Sequence, residues 1–251
     1  MVKKYKYNIE SEIEQQNLSF KRYIQTFLLD YKSWELLLQI SRQTDVYIFS
    51  GVIRNFLLGY IENRDLDIVI RNINGIDLRE VYQYDIKMKK NSFGGYKLKI
   101  GMLNVDVWDI NKTWGIQNMQ LESTPQNLIK TAFFNFSAIV YDFNRSKFIY
   151  NSNFIDFYET HAMDIQYEEN PNIPLCIINT LYYSLKYSFP IKYNLCKWIV
   201  ANYDRNINFY QTQIRHFKKI IFRKEQIERL INICIQALPI LNQNRVLRFY
   251  N

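Results

Sequence analysis

Apolar residues along this chain change period part-way. Between Phe20 and Gln43 they recur at helical spacing, at Tyr23, Phe27, Leu28, Trp34, Leu37 and Leu38, which predicts one or two leading helices. Val46 to Phe49 then reads as a short strand, the residues after Gly51 as a short helix, and the run ending at Ile70 as a second strand. Tyr96 to Ile100 and Leu103 to Ile110 read as two more strands joined by a tight turn at Gly101, and strands alternate with short helices as far as about Tyr150. After Asn153 the spacing is helical almost throughout: Pro174 to Tyr187, Lys192 to Asn202, Asn208 to Ile221 and Lys224 to Leu238. Pro174 suits a first helical turn and Pro239 a helix stop. The pattern predicts an α+β fold, with a strand-bearing head over residues 20–152 and an all-helical domain over residues 153–251.

Chemistry concentrates between Gly51 and Ile70. Side chains alternate along a strand, so Asp65 and Asp67 share one face while Leu66 and Ile68 take the other. Two ionised carboxylates that close repel, and a hard divalent cation removes the conflict; Mg2+ held by one or two carboxylates together with substrate phosphates is the usual arrangement. Gly51 permits close backbone approach at a helix start, where free N–H groups favour an anion. Arg54, one turn on, offers a charge-assisted contact to phosphate. The bland alternative for a lone Asp-x-Asp is a solvated strand edge, and the composite of glycine turn, arginine and paired aspartates is what raises the stretch above it. A third carboxylate, Asp106, stands between Val105 and Val107, where a charge needs a reason. Asp109 falls on the opposite face and reads as a turn residue or cap before Lys112.

These residues resemble a known family. Gly51 to Ile70 is similar to the head signature of the class II CCA-adding tRNA nucleotidyltransferases and bacterial poly(A) polymerases, within the DNA polymerase β nucleotidyltransferase superfamily. Ser92-Phe93-Gly94-Gly95 followed by Val105-Asp106-Val107 resembles the family's second hairpin, Ala138 to Asp142 its closing strand, and Ile173-Pro174-Leu175 to Phe189 its first neck helix. The resemblance covers roughly residues 35 to 205. It implies a nucleotidyltransferase head built on a mixed β-sheet flanked by helices, a neck-like helical domain, and Asp65, Asp67 and Asp106 as catalytic metal ligands. It further implies Ser50, Gly51 and Arg54 at the nucleotide. The chain also departs from the family. Ala132 and Phe133 stand near the Arg-Asp pair expected to contact ribose, Cys176, Asn179 and Tyr182 stand where neck arginines are expected, and no clear Glu-Asp-x-x-Arg segment for base selection is present.

Composition narrows the class. At 251 residues, 48% hydrophobic and 16% aromatic, the chain is large enough for one catalytic domain and a helical appendage, and shorter than expected for a full tRNA-maturing enzyme. No apolar core follows the basic first residues and no apolar run reaches membrane-spanning length, so a cytosolic protein without a membrane partner is expected. Cys176, Cys196 and Cys234 lack metal-ligand spacing and read as buried free thiols, and neither His161 nor His216 sits in a partner motif.

The formal charge is +8, and Arg215, Lys218, Lys219, Arg223, Lys224 and Arg229 gather in a short part of the helical half. Such a group is either a solvated helix face or a footprint for a polyanion, and beside a nucleotidyltransferase head it points to RNA. Lys87, Lys89, Lys90, Lys97 and Lys99 form a second group that either flanks a triphosphate or keeps an edge strand soluble. The expected activity is Mg2+-dependent transfer of an NMP from an NTP to an acceptor hydroxyl, with an RNA 3′ end, tRNA in particular, as the acceptor. The alternatives are a stand-alone toxin or defence transferase that modifies tRNA or protein, and an inactive nucleotide- or RNA-binding module.

Overall fold

The computed structural model describes residues 2–63, 65–76, 88–90, 95–100, 103–242 and 245–249. Of the residues singled out above, Lys87, Ser92, Phe93, Gly94 and Gly101 lie outside the described residues. The leading segment is longer than its periodicity predicts. It comprises α1 (Val2–Gln15), α2 (Asn17–Tyr23), a π-helical turn at Ile24–Leu28, and α3 (Tyr31–Gln43). Between Asn8 and Gln16 only Ile9 and Ile13 are apolar, one turn apart, and Ile13 is fully buried. A pair so sparse gives little periodic signal, which is why the first helix escapes the sequence reading. Asp30 starts α3 as its N-cap, its Oδ1 accepting from Ser33 N at 2.8 Å.

Seven strands make one mixed sheet. They are β1 (Val46–Phe49), β2 (Asp65–Ile70), β3 (Met88–Lys90), β4 (Tyr96–Ile100), β5 (Leu103–Asp109), β6 (Ile139–Asp142) and β7 (Lys147–Tyr150), in the order β3-β4-β5-β2-β1-β6-β7. Only β2 and β5 pair in parallel; every other neighbouring pair is antiparallel. The helix α4 (Gly51–Leu57) joins β1 to β2. On one face of the sheet Tyr141 and Phe148 meet Phe20 of α2, with ring centroids 4.9 and 5.2 Å apart, and Phe56 of α4 closes on the same ring at 5.1 Å.

On the other face the described residues form one packed cluster. Tyr47, Val69 and Val140 pack there against Ile110, Ile116, Leu128 and Ile129. Those last residues belong to a run of short turns that includes α5 (Trp114–Asn118) and α6 (Pro125–Leu128). The run closes on itself at Gly115, where a Cβ atom would fall 2.4 Å from Thr131 Cβ, so only glycine fits without displacement. Thr124 caps α6 by accepting from Asn127 N at 3.2 Å, with Pro125 in the first turn, where no amide donor is needed.

The helical part comprises α7 (Ser152–Thr160), α8 (Ile173–Tyr187), α9 (Tyr193–Asn202), α10 (Phe209–Phe217) and α11 (Lys224–Ala237). Asn172 caps α8 with Pro174 in its first turn. The helix expected to run to Ile221 stops at Phe217 instead. Lys218 takes a left-handed φ of 60°, and buried Gln213 accepts from Ile221 N and Phe222 N while donating to Phe222 O, which folds the chain back on the helix. Two short strands depart from the all-helical expectation: β8 (Ile191–Lys192) and β9 (Val246–Leu247) pair antiparallel.

The chain divides into two compact units, Met1–Ala132 with Ser137–Ile155, and Phe133–Phe136 with Asp156–Asn251. The second is organised by aromatic rings. Phe136 packs on Tyr183 at 4.8 Å and on Phe157 at 5.5 Å, and Phe133 meets Trp198 at 4.7 Å.

Candidate active site

The site is built where β1 ends. Phe49 is the register partner of Asp67, and Ser50 follows it with φ 57° and ψ −95°, a conformation sparsely populated by residues other than glycine. Ser50 N donates to Ile139 O at 3.2 Å, while its carbonyl accepts from Ile53 N and Arg54 N, both at 3.1 Å, and so turns the strand into α4. Among the described residues nothing approaches Gly51 on its side-chain side: a Cβ placed there meets no atom within 4 Å. Packing therefore does not require this glycine, and open space lies in front of it.

Strand register assembles the carboxylates. Asp67 pairs with Asp106 across the parallel β2–β5 ladder, and Asp65 pairs with Asn104 one step along. Register partners share a face and lie about 5 Å apart, so Asp65, Asp67 and Asp106 all stand on one face of the sheet, each half-buried. Asn104 Nδ2 donates to Asp65 Oδ1 at 3.3 Å. Asp106 is held by Lys97, its partner across the antiparallel β4–β5 ladder. The ammonium donates to Oδ2 at 3.2 Å and lies 2.9 Å from Oδ1, which is buried and receives no directed hydrogen bond despite that approach. Among the described residues, no three His, Cys, Asp or Glu side chains gather into a metal-binding group. Asp109 is on the reverse face and buried, its Oδ2 accepting from Ile73 N and its Oδ1 from Asn111 N, both at 2.9 Å, so it caps the turn at Ile110–Lys112.

Arg54 is placed differently from Gly51. It is 3% exposed, and its Nε and Nη2 donate to Asn55 Oδ1 at 3.1 and 2.7 Å. Asn55 Nδ2 in turn donates to Glu62 O and Asn63 Oδ1, and Asn63 Nδ2 donates to the Tyr23 hydroxyl. This buried polar chain ties α4 to the segment that enters β2. Nothing in the sequence spacing signalled it, because an Arg-Asn pair followed by a second asparagine eight residues on carries no periodic pattern.

No protein-family model matches the sequence, and no curated protein does. Solved structures do match. A tRNA nucleotidyltransferase complexed with a primer tRNA and an incoming ATP analog aligns at 17% identity and a TM-score of 0.55, over 82% of this chain and 61% of that one. The Thermotoga maritima CCA-adding enzyme complexed with tRNA aligns at 16% identity and 0.51, over 84% of this chain and 58% of that one. A tRNA-processing enzyme in an apo form aligns at 19% identity and 0.55, over 79% and 58%. The fold is that of CCA-adding tRNA nucleotidyltransferases. The chain spans about three fifths of the length of the structures it matches.

Within this nucleotidyltransferase fold, the positions that depart from the family pattern are structural. Ala132 and Phe133 are buried, and Phe133 lies edge-on to Phe134 at 4.7 Å. Cys176 is buried, and burial pushes its thiol up to about 12. Tyr182 packs against Phe217 at 5.5 Å. All three cysteines are buried free thiols. In the helical unit Arg215, Lys218, Lys219, Arg223, Lys224 and Arg229 are exposed. A cavity of about 560 Å3 opens beside Arg223 and Lys224, lined also by Tyr203, Phe209 and Phe222 and by Arg205 and Glu228. Among the described residues no helix is long and apolar enough to cross a membrane.

Proposed function

We propose that the protein is a nucleotidyltransferase that moves an NMP from an NTP to an acceptor hydroxyl, with the first unit as catalytic head and the second as an acceptor-binding neck. The observation that carries this reading is the register of Asp67 on Asp106, with Asp65 on the same face. Carboxylate oxygens are the donors that Mg2+ takes, and the register-paired Asp67 and Asp106 carboxylates supply them. The three carboxylates form no ready-made metal cluster; Asp67 and Asp106, paired in register, would hold the metal with Asp65 on the same face, and the metal when bound neutralises charge on the triphosphate and lowers the pKa of the attacking hydroxyl. Asp106 orients that hydroxyl and takes up its proton. Ser50 and Gly51 form the turn against which the phosphates lie, with room in front of Gly51. Arg54 supplies positive charge behind that turn and holds the entry to β2 in place.

The acceptor proposed is an RNA 3′ end, tRNA first among candidates, because of the exposed basic residues and the aromatic, cationic cavity of the helical unit. The test is incubation with each α-labelled NTP, Mg2+ and total cellular RNA, followed by sizing of the products. Labelled RNA that disappears with Asp67→Asn supports the proposal; label transferred equally well by Asp67→Asn overturns it. NTP and Mg2+ binding without pyrophosphate release would make the site a binding module.

A further inference from the structure

The register sorts the lysines near the hairpin. Lys89 pairs with Lys97 and Lys97 with Asp106, while Lys99 pairs with Asn104. Lys89, Lys97 and Lys99 therefore stand on the carboxylate face. Lys90 pairs with Tyr96 and stands on the reverse face. Like charges directly opposite one another across a ladder are destabilising, yet Lys89 and Lys97 occupy such a pair. Edge protection accounts for lysines on β3, the outermost described strand on that side, but Lys97 and Lys99 are on β4, which is paired on both sides. Three exposed ammonium groups gathered on one side of the acidic row, with Asp106 in contact with only one of them, form a patch suited to an anion of several charges.

Lys97 already shows how that anion would be received. Its side chain is 61% exposed and that of Asp106 29%, and an ion pair so open to water is worth only about 0–1 kcal/mol. It is easily surrendered to a polyanion that offers charge-assisted bonds to several oxygens. We propose that Lys97, flanked by Lys89 and Lys99, is a polyphosphate-binding residue that leaves Asp106 for the phosphates of the incoming nucleotide and so frees the Asp106 carboxylate. The inference rests on the nucleotidyltransferase reading and adds to it the residues that grip the triphosphate.

The experiment measures equilibrium binding of ATP, inorganic tripolyphosphate and adenosine to the full chain, with and without Mg2+. Lys97→Ala should weaken ATP and tripolyphosphate binding by about tenfold, one charge-assisted contact, and leave adenosine binding unchanged. Lys97→Arg should recover most of the loss, and Lys90→Ala should match the wild type. Without nucleotide, Lys97→Ala should bind Mn2+ more tightly, because the competing ammonium is gone. Tripolyphosphate binding as strong as that of ATP assigns the grip to the phosphates alone; weaker binding assigns part of it to the nucleoside, and the Lys97 effect holds in either case. Lys97→Ala binding ATP within twofold of wild type, or behaving as Lys90→Ala does, overturns the inference. If that happens while RNA labelling still depends on Asp67, the proposed function stands without it; if the wild type binds neither ATP nor tripolyphosphate, both fall.

Discussion

One face of the central sheet has two ends built from the same strands. At one end Tyr47, Val69 and Val140 lie under Ile110, Ile116, Leu128 and Ile129, and a single glycine lets the covering turns close. One rung along β2 and β5 from Val69, Asp67 pairs with Asp106 and the rung continues through Lys97 to Lys89, while Phe49 on β1 still packs against the covering cluster. The covered end stabilises the fold by burial. The charged rung sets Asp67 beside Asp106 and Lys97 beside Lys89, and the proposed function gives that arrangement a ligand. Stability and chemistry are thus divided along the length of the strands rather than between faces of the sheet.

Substitutions at the two ends should part company. Asp67→Asn should lower nucleotidyl transfer by about 100- to 1,000-fold and leave the melting temperature unchanged, read from initial rates and a thermal scan. A loss of melting temperature there would blur the division. Gly115→Ala should do the reverse. Its methyl group falls on Thr131 Cβ and should cost roughly 1–3 kcal/mol in urea unfolding, with ATP affinity in the folded protein unchanged. Reduced affinity would mean that the covered end also shapes the site.

Asp30→Ala touches neither end and calibrates both. Loss of the α3 cap should cost about 1 kcal/mol at neutral pH. The Ser33 hydroxyl and backbone N–H hold the Asp30 carboxyl below its ordinary range. Its contribution is therefore complete above the unfolded value, about 3.9, and is lost as pH falls through the lower folded value. Wild type and Asp30→Ala should converge in stability on acidification; a gap that persists below both values would assign the loss to something other than the carboxylate. The smallest effect belongs to the helical unit. Its three thiols are buried, with Cys176 raised to about 12, so native protein at pH 8 should take up almost no thiol reagent and unfolded protein three equivalents.

Much of the secondary structure was legible from period alone. The strand from Val46 to Phe49, the helix after Gly51 and the helices beginning near Pro174 and Lys224 each carry a local signal: an apolar run, a glycine turn or a first-turn proline. That Asp65 and Asp67 share a face follows from strand alternation. The helix Val2–Gln15 was not legible, because Ile13 is buried by residues far along the chain and has only Ile9 as a helical neighbour nearby. The early end of α10 was not legible either, because it is set by Gln213 bonding to a segment that has turned back on it.

The sequence by itself determined most elements of the sheet, the helices with a local start signal and which strands carry charge, since these depend on neighbours within a few residues. Only the tertiary structure decided that Asp67 lies beside Asp106, that Lys97 rather than Lys90 reaches the carboxylates, and that Arg54 turns inward to Asn55. Those outcomes depend on pairing between strands distant in sequence and on which ends of a face are covered. No local period encodes either.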